Sequence, residues 1–473
     1  MTNEDMLRLI IDKELREIIG STKFAVTFGV MSLLILLAFY VGARNYQVSK
    51  QDYEAAVAEN LKQMEGLTDW NRVDNRIFLK PEPLTALVSG ISNDIGRTVE
   101  IQTQWEPRSE DSRFNEDPIY AVFRFIDLEF IFSVVLSLFA ILFAYDAVNG
   151  EKERGTLRLA FANAVPRDRY ILGKLIGSFV ALAVPLLVPI LIGCGLLPLL
   201  GVSMGSSSWI RLGIVIAAGL MYLGVFLTLS IFVSSMTERS SSSFLLLLVV
   251  WIFAVLIIPR TAVFVAGRAV DVPTVDAIDF QKSSYMSQLW DEDMKKMDEF
   301  RRSTAGQAET QEDRRRVWRA YMSQLADERT EKIDAFAQRL NEDRRNRDLA
   351  RQRVALGIAR ISPASVFTLA ATDLAGTSLD LKNRFDVAAR AYREAYTRFI
   401  VDKTGNSGAG WWMSGNDQDA EEIDPYELPA FEYQAAPISD YVTSALPDLA
   451  ILMLFNFAFF AGAFLAFLRY DVR

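Results

Sequence analysis

The chain has 473 residues, 51% of them hydrophobic, and 31 are phenylalanine. Lys plus Arg total 50 against 59 Asp plus Glu, a net charge of −9 that is too mild to mark a polyanionic partner, so no nucleic acid is expected. Histidine is absent and cysteine occurs once, at Cys194, which excludes Ser-His-Asp and Cys-His catalysis, histidine-ligated metal sites and an intrachain disulfide.

The first predicted element is an amphipathic arm, residues 1–23. Leu7, Ile10, Ile11, Leu15, Ile18 and Ile19 form an apolar stripe, while Arg8, Asp12, Lys13, Arg16 and Glu17 face away. Thr2 or Asn3 is placed to cap it, and Glu4 and Asp5 suit the positive helix start. A spanning helix needs roughly 20 apolar residues, and residues 24–43 supply the first. Residues 44–123 mix turn-rich pieces such as LKPEPL with the alternating run TVEIQTQW, which reads as a strand, and predict a small α+β domain. The second span covers 124–147, with Asp127 and Glu129 near the interface at its start.

A charged loop, 148–170, leads into a third span, 171–200. A short loop (201–211), a fourth span (212–236), a turn (237–240) and a fifth span (241–259) follow. Pro185 and Pro189 fall inside the third span, where they either kink the helix or line a path through the membrane. Residues 260–443 open with a highly charged stretch, Phe280 to Arg360, that lacks proline. Its apolar residues recur at helical spacing, as at Met286, Leu289, Met294 and Met297, and predict two or three long helices packed as a hairpin. The break is expected near STAGQAETQ. Another helix is expected over Leu381 to Lys403, then a Gly-rich acidic linker holding Trp411 and Trp412. The sixth span is 444–468, with a tail at 469–473. Within it Asn456 suits an interhelical hydrogen bond or a place on a pathway, and Asp448 is expected at the interface. The fold class is therefore mainly α: a polytopic six-helix transmembrane domain with two insertions, the first small α+β, the second long-helical.

Basic residues in short loops set orientation. The arm, the 148–170 loop, the turn with Arg239 and the tail with Arg469 and Arg473 all fall on one side of a six-helix layout. That side is expected to be the cytoplasm, with both termini there and both insertions outside.

The loop VNGEKERGT carries four consecutive charges, Glu151 to Arg154. Leu157, Ala160, Phe161 and Ala164 share one helical face; Glu151, Arg154 and Arg158 fall on another. Gly155 permits a bend, and Pro166 stops a helix at or before Val165. The residues leave two readings open. One is a lipid-surface anchor; the other is an element aimed at a basic groove on a partner, which alone gives Glu151 and Glu153 a purpose.

The stretch DAVNGEKERGTLRLAFANAVPRDRYILGKLIG resembles the cytoplasmic loop of ABC type-2 exporter permeases. There the second helix ends in an acidic E-x-E-x-G-T-L element, then a Pro-Arg turn, then a Lys opening the third helix. The resemblance places Glu151, Glu153, Gly155, Thr156 and Leu157 on the first element, with Lys152 and Arg154 between them. Pro166, Arg167 and Lys174 fall on the second. RISPASVFTLAATDLAGTS, Arg360 to Ser378, resembles part of a subgroup with large extracytoplasmic domains after helices one and five.

The resemblance implies that this loop couples to a separate ABC ATPase, with Glu151, Glu153 and Arg154 contacting it. It implies a homodimer or a heterodimer with a similar permease, set in a bacterial inner membrane, with an extracytoplasmic partner possible on the insertions. The chain itself is expected to bind no cofactor, ATP and Mg belonging to the ATPase. No GxxxxGK[ST] phosphate loop occurs, and Gly173-Lys174 lacks its flanking residues. The alternative function is a membrane scaffold or sensor that presents the outer helical domain and moves no solute.

Overall fold

A computed structural model of the protein describes residues 3–70, 73–92, 95–102, 107–110, 127–162, 166–304, 311–404 and 422–469. Six helices among them are long and apolar enough to cross a membrane.

Helix α1 (Asn3–Ile19) is the arm, and Ser21 caps the next helix by accepting from Phe24 N–H at 3.1 Å. Helix α2 (Thr22–Met64) holds the first span but runs on 21 residues past Ala43. No Gly or Pro interrupts the polar stretch that follows the span, so the helix continues until Gly66, whose φ of +79° ends it. The second span (Leu128–Glu153) begins with α3 (Leu128–Phe130), passes through a π-helical stretch (Ile131–Leu136) and continues as α4 (Ser137–Ala144). The short helices α5 (Asn149–Glu153) and α6 (Thr156–Ala162) lead to the third span, α7 (Arg167–Leu199), and the fourth, α8 (Ser206–Met236). The fifth span (Ser240–Ala269) is built alike from α9 (Ser240–Trp251), a second π-helical stretch (Ile252–Ile257) and α10 (Ile258–Ala269).

Helices α11 (Val275–Thr304) and α12 (Gln311–Ala359) form the predicted charged hairpin; its turn at 305–310 lies outside the described residues, as do Trp411 and Trp412. The hairpin is zipped by the stack of Phe300 on Tyr321 (3.9 Å) and by Arg329 pairing with the buried Asp293 at 2.9 Å. Helix α12 has 49 residues, a rod of about 73 Å at 1.5 Å rise per residue.

Helix α13 (Pro363–Ala375) departs from the expectation of a purely outer segment. Its boundaries are written locally: Ser362 caps the N–H groups of Ala364 and Ser365, Pro363 sits at the first turn, and Gly376 ends it at φ +73°. Yet Phe367 is fully buried between Tyr222 of α8 (5.0 Å) and Phe132 (5.8 Å), inside the same core as the spans.

A three-stranded antiparallel sheet, β1 (Asn75–Phe78), β2 (Thr98–Ile101) and β3 (Arg108–Glu110), pairs in that order with Asn75 opposite Ile101 and Thr98 opposite Glu110. The two insertions are not separate bodies. Helix α14 (Leu379–Thr404), from the second, supplies Leu381, Phe385, Ala389, Tyr396 and Ile400 to the core beneath Ile77, Val99 and Ile101 of the first.

The sixth span is α15 (Ile438–Leu468). Asp448, expected at the membrane interface, is fully buried within the protein and clasped by Arg360, Nε to Oδ1 at 2.7 Å and an Nη to Oδ2 at 3.0 Å. The low dielectric of that position is tolerated because both carboxylate oxygens are satisfied.

Candidate functional site

The charged loop is a turn of two short helices, not one continuous amphipathic helix. Gly155 separates them with φ +73°, a left-handed conformation that strains any residue with a Cβ. The first amides of α5 would be orphaned at the end of the second span. Ser234 of α8 takes them, its Oγ accepting from Val148 N–H at 3.1 Å and Asn149 N–H at 3.2 Å. Asn149 is fully buried and donates to Thr237 Oγ1 at 2.9 Å.

The expectation that Glu151 points outward is overturned. Its side chain is 2% exposed and sits between two lysines, Lys13 at 2.6 Å and Lys174 at 2.8 Å. Tyr170 donates a hydrogen bond to its other oxygen at 2.7 Å. Lys174 in turn reaches Glu14 of α1 at 2.7 Å, and Ser178 donates to Glu14 at 3.2 Å. Two carboxylates and two ammonium groups therefore neutralise one another, with Glu14, Glu151 and Lys174 buried and Lys13 closing the site from the solvent side. Such a network holds only while every member is present. Burial pushes the Glu14 carboxyl above its usual range, against the pull of Lys174.

The arm reaches this depth because α7 is cut away beneath it. Gly173 and Gly177, four apart, form a trough; a Cβ on either would lie 2.7 Å from Ile10 or Glu14. Part of the apolar stripe of α1 thus faces α7, while Ile19 and the cations Arg8 and Arg16 remain exposed.

The remaining charges bind the loop to its other neighbours. Glu153 accepts from the backbone N–H and hydroxyl of Ser240, at 2.9 and 2.8 Å, holding the start of α9. Arg154 pairs with Glu17 of α1 at 2.7 Å. Thr156 Oγ1 donates to the Glu151 carbonyl at 3.2 Å, and Leu157 is buried. Pro166 precedes α7, and Arg167 donates to the Leu468 carbonyl at the end of α15, at 2.7 Å. Tyr170 stacks on Phe467 of α15 with centroids 5.3 Å apart. The outward ridge of the loop carries Lys152, Glu153, Arg154, Gly155, Thr156, Arg158 and Leu159, the last 68% exposed. Ala164 and the end of the expected helix lie outside the described residues.

Pro185 and Pro189 lie within α7 without breaking it, Pro189 buried and Pro185 half-buried. Asn456 donates to the Met221 carbonyl of α8 at 3.0 Å, so its amide ties two spans together.

Glu14, Asn149, Tyr170, Ser240 and Phe467 belong to this site but were not foreseen as its members. Glu14 had a readable signal, because it falls on the line Leu7–Ile11–Ile18 and so interrupts the apolar stripe with a charge. Such a residue needs a buried counter-ion, and Lys174 between two glycines is one.

A family model described as ABC-2 family transporter protein matches residues 8–472. The probable ABC transporter permease protein NosY of Stutzerimonas stutzeri is 33% identical over 127 residues, which make up 26% of this chain and 45% of NosY. The chain thus matches less than half the length of that relative. Residues 1–473 contain no Walker-type phosphate loop. A loop wired by charge into four helix ends, six candidate spans and a match along nearly the whole chain agree: the chain belongs to the ABC-2 family of transporters, as a multi-pass membrane subunit with no ATPase domain in these residues.

Proposed function

We propose that the protein is the permease subunit of an ATP-driven exporter and that residues 149–162 form the lever on which a separate ABC ATPase acts. The observation that carries this is the division of the loop into an exposed ridge and a fixed root. Lys152, Glu153, Arg154, Arg158 and Leu159 are exposed, while buried Glu151, together with Tyr170, Arg167 and the bonds of Glu153 to Ser240 and of Arg154 to Glu17, fastens the loop to the arm and to the ends of three spans. A force on such a ridge moves the helix ends together, because ion pairs and stacked rings leave no slack between them. The ATPase contact therefore belongs to the ridge, with Leu159 as its apolar anchor, and Glu151 serves it from within.

On this reading the arm, loop and tail lie in the cytoplasm of a bacterial inner membrane, and the sheet domain and the α11–α12 hairpin lie outside. Two copies, or this chain with a similar permease, assemble the pathway, and the hairpin is placed to hold an extracytoplasmic partner. ATP and Mg bind the ATPase. The test is copurification with the ABC ATPase expressed from the same source, then ATP hydrolysis by the reconstituted pair. Leu159→Asp with Arg158→Glu should abolish the complex while the permease alone stays folded. An undiminished complex in that variant, or no ATPase recovered with the native protein, would overturn the proposal.

A further inference from the structure

On the face opposite the charged loop, a cavity of about 70 Å³ opens between the two π-helical stretches and α13. A single water needs roughly 10–15 Å³ by this measure, so the space admits something larger. Both π stretches contribute wall, through Ser133 and Val134 on one and Val255 and Leu256 on the other. Such turns interrupt regular helical bonding and recur at functional sites.

The cavity lining combines two chemistries, and one set of residues is polar. It comprises Asp127, Glu129, Ser133, Thr368 and Ser365. Asp127 is committed to structure, accepting from Ser89 N–H at 2.9 Å, Ser89 Oγ at 2.7 Å and Phe130 N–H at 2.9 Å. Glu129 is held by Thr368, and among the described residues no cation pairs with either carboxylate. Ser365 is 2% exposed, and its hydroxyl has no hydrogen-bond partner among the described residues. The other set is apolar, Phe130, Val134, Leu256 and Pro259, with Leu256 exposed at the surface. Arg260 stands exposed at the rim.

We propose that this cavity binds a primary ammonium group borne on an apolar body. The ammonium lies against Glu129 and donates to the unpartnered Ser365 hydroxyl, while the hydrocarbon leaves past Leu256. An inorganic cation would use the oxygens but not the apolar wall, and an apolar ligand would leave Glu129 and Ser365 unmatched. The site stands independently of the coupling reading, since binding needs no ATPase.

The test is equilibrium binding of radiolabelled dodecylammonium to the full-length protein in amine-free phosphatidylglycerol nanodiscs, scored as the saturable component above empty discs. Glu129→Gln should weaken it at least tenfold, and Arg260→Gln should tighten it by removing a like charge from the rim. Ser365→Ala removes no hydrogen bond seen in the fold, so its folding is safe. It should weaken dodecylammonium severalfold and leave dodecyltrimethylammonium, which has no N–H, unchanged. Equal competition by dodecanol or by sodium, or an unaltered affinity in both Glu129→Gln and Ser365→Ala, would overturn the assignment.

Discussion

Glu153 and Ser240 are joined by two hydrogen bonds, through which a loop side chain caps the first turn of a span 87 positions further along the chain. The pair lies on the protein surface, so it registers the loop against α9 more than it stabilises the fold. Glu153→Ala is expected to shift the thermal unfolding midpoint by no more than a degree or two. ATPase stimulation in the reconstituted complex should fall severalfold, and Glu153→Gln, which keeps an acceptor for Ser240, should restore much of it.

The interior network behaves differently. Glu151→Ala leaves Lys174 buried beside a single carboxylate, a loss that typically costs about 3–5 kcal/mol. The triple variant Glu14→Leu, Glu151→Ala and Lys174→Met removes all three buried charges together and should recover a large part of that stability. Thermal unfolding of the purified protein in detergent reads both, and losses that add across the three positions would show that these residues are not coupled.

Arg360 and Asp448 predict an asymmetry. Asp448 is fully buried whereas Arg360 is 37% exposed. Arg360→Ala therefore strands a carboxylate in the core, while Asp448→Ala frees a cation able to turn to water. The first should lower the unfolding midpoint clearly more than the second. Equal effects would show that the pair is not the tie between α12 and α15.

Gly42 lies where α2 crosses the turn at Pro83–Ala86, and a Cβ there would sit 1.6 Å from the Ala86 carbonyl oxygen. Gly42→Ala must push the first insertion away from the span. A loss on the order of 1–3 kcal/mol is expected from overpacking, with increased proteolysis of the sheet domain as a second readout.

Asp373 near the end of α13 is pushed up to about 6, chiefly by burial, with Asp448 and Asp380 adding to the effect and Arg360 opposing it. A carboxyl that holds its proton more tightly folded than unfolded favours the fold at low pH. That advantage is complete below the unfolded value near 4 and lost as pH rises through about 6. Asp373→Asn should therefore raise the unfolding midpoint at pH 7.5 and raise it less at pH 5.

The spans were legible because lipid demands runs of apolar residues, a requirement each helix meets alone. The α11–α12 hairpin was legible for a related reason, since helical spacing and the lack of proline are local. The inside of the charged loop was not. VNGEKERGT looks uniformly polar, and nothing in those nine residues separates Glu151, which turns inward, from Lys152, which does not. The difference is made by Lys174, Tyr170 and Glu14, residues up to 137 positions away. The depth of α13 escaped for the same reason: Phe367 is placed by Tyr222 and Phe132, not by its neighbours in sequence.

The shared core of the sheet and α14 bears on how the protein is made. Strand β1 ends at Phe78, yet the side chains that cover its sheet, Leu381 to Ile400, are synthesised some 300 residues later. At roughly 5–20 residues per second, the first insertion must wait from about fifteen seconds to a minute, with Ile77, Val99 and Ile101 uncovered. During that interval four further spans enter the membrane. A chain arrested after the fifth span would carry an open apolar sheet, a ready substrate for quality-control proteases, so arrival of α14 marks the moment at which the protein becomes safe to leave its biogenesis machinery.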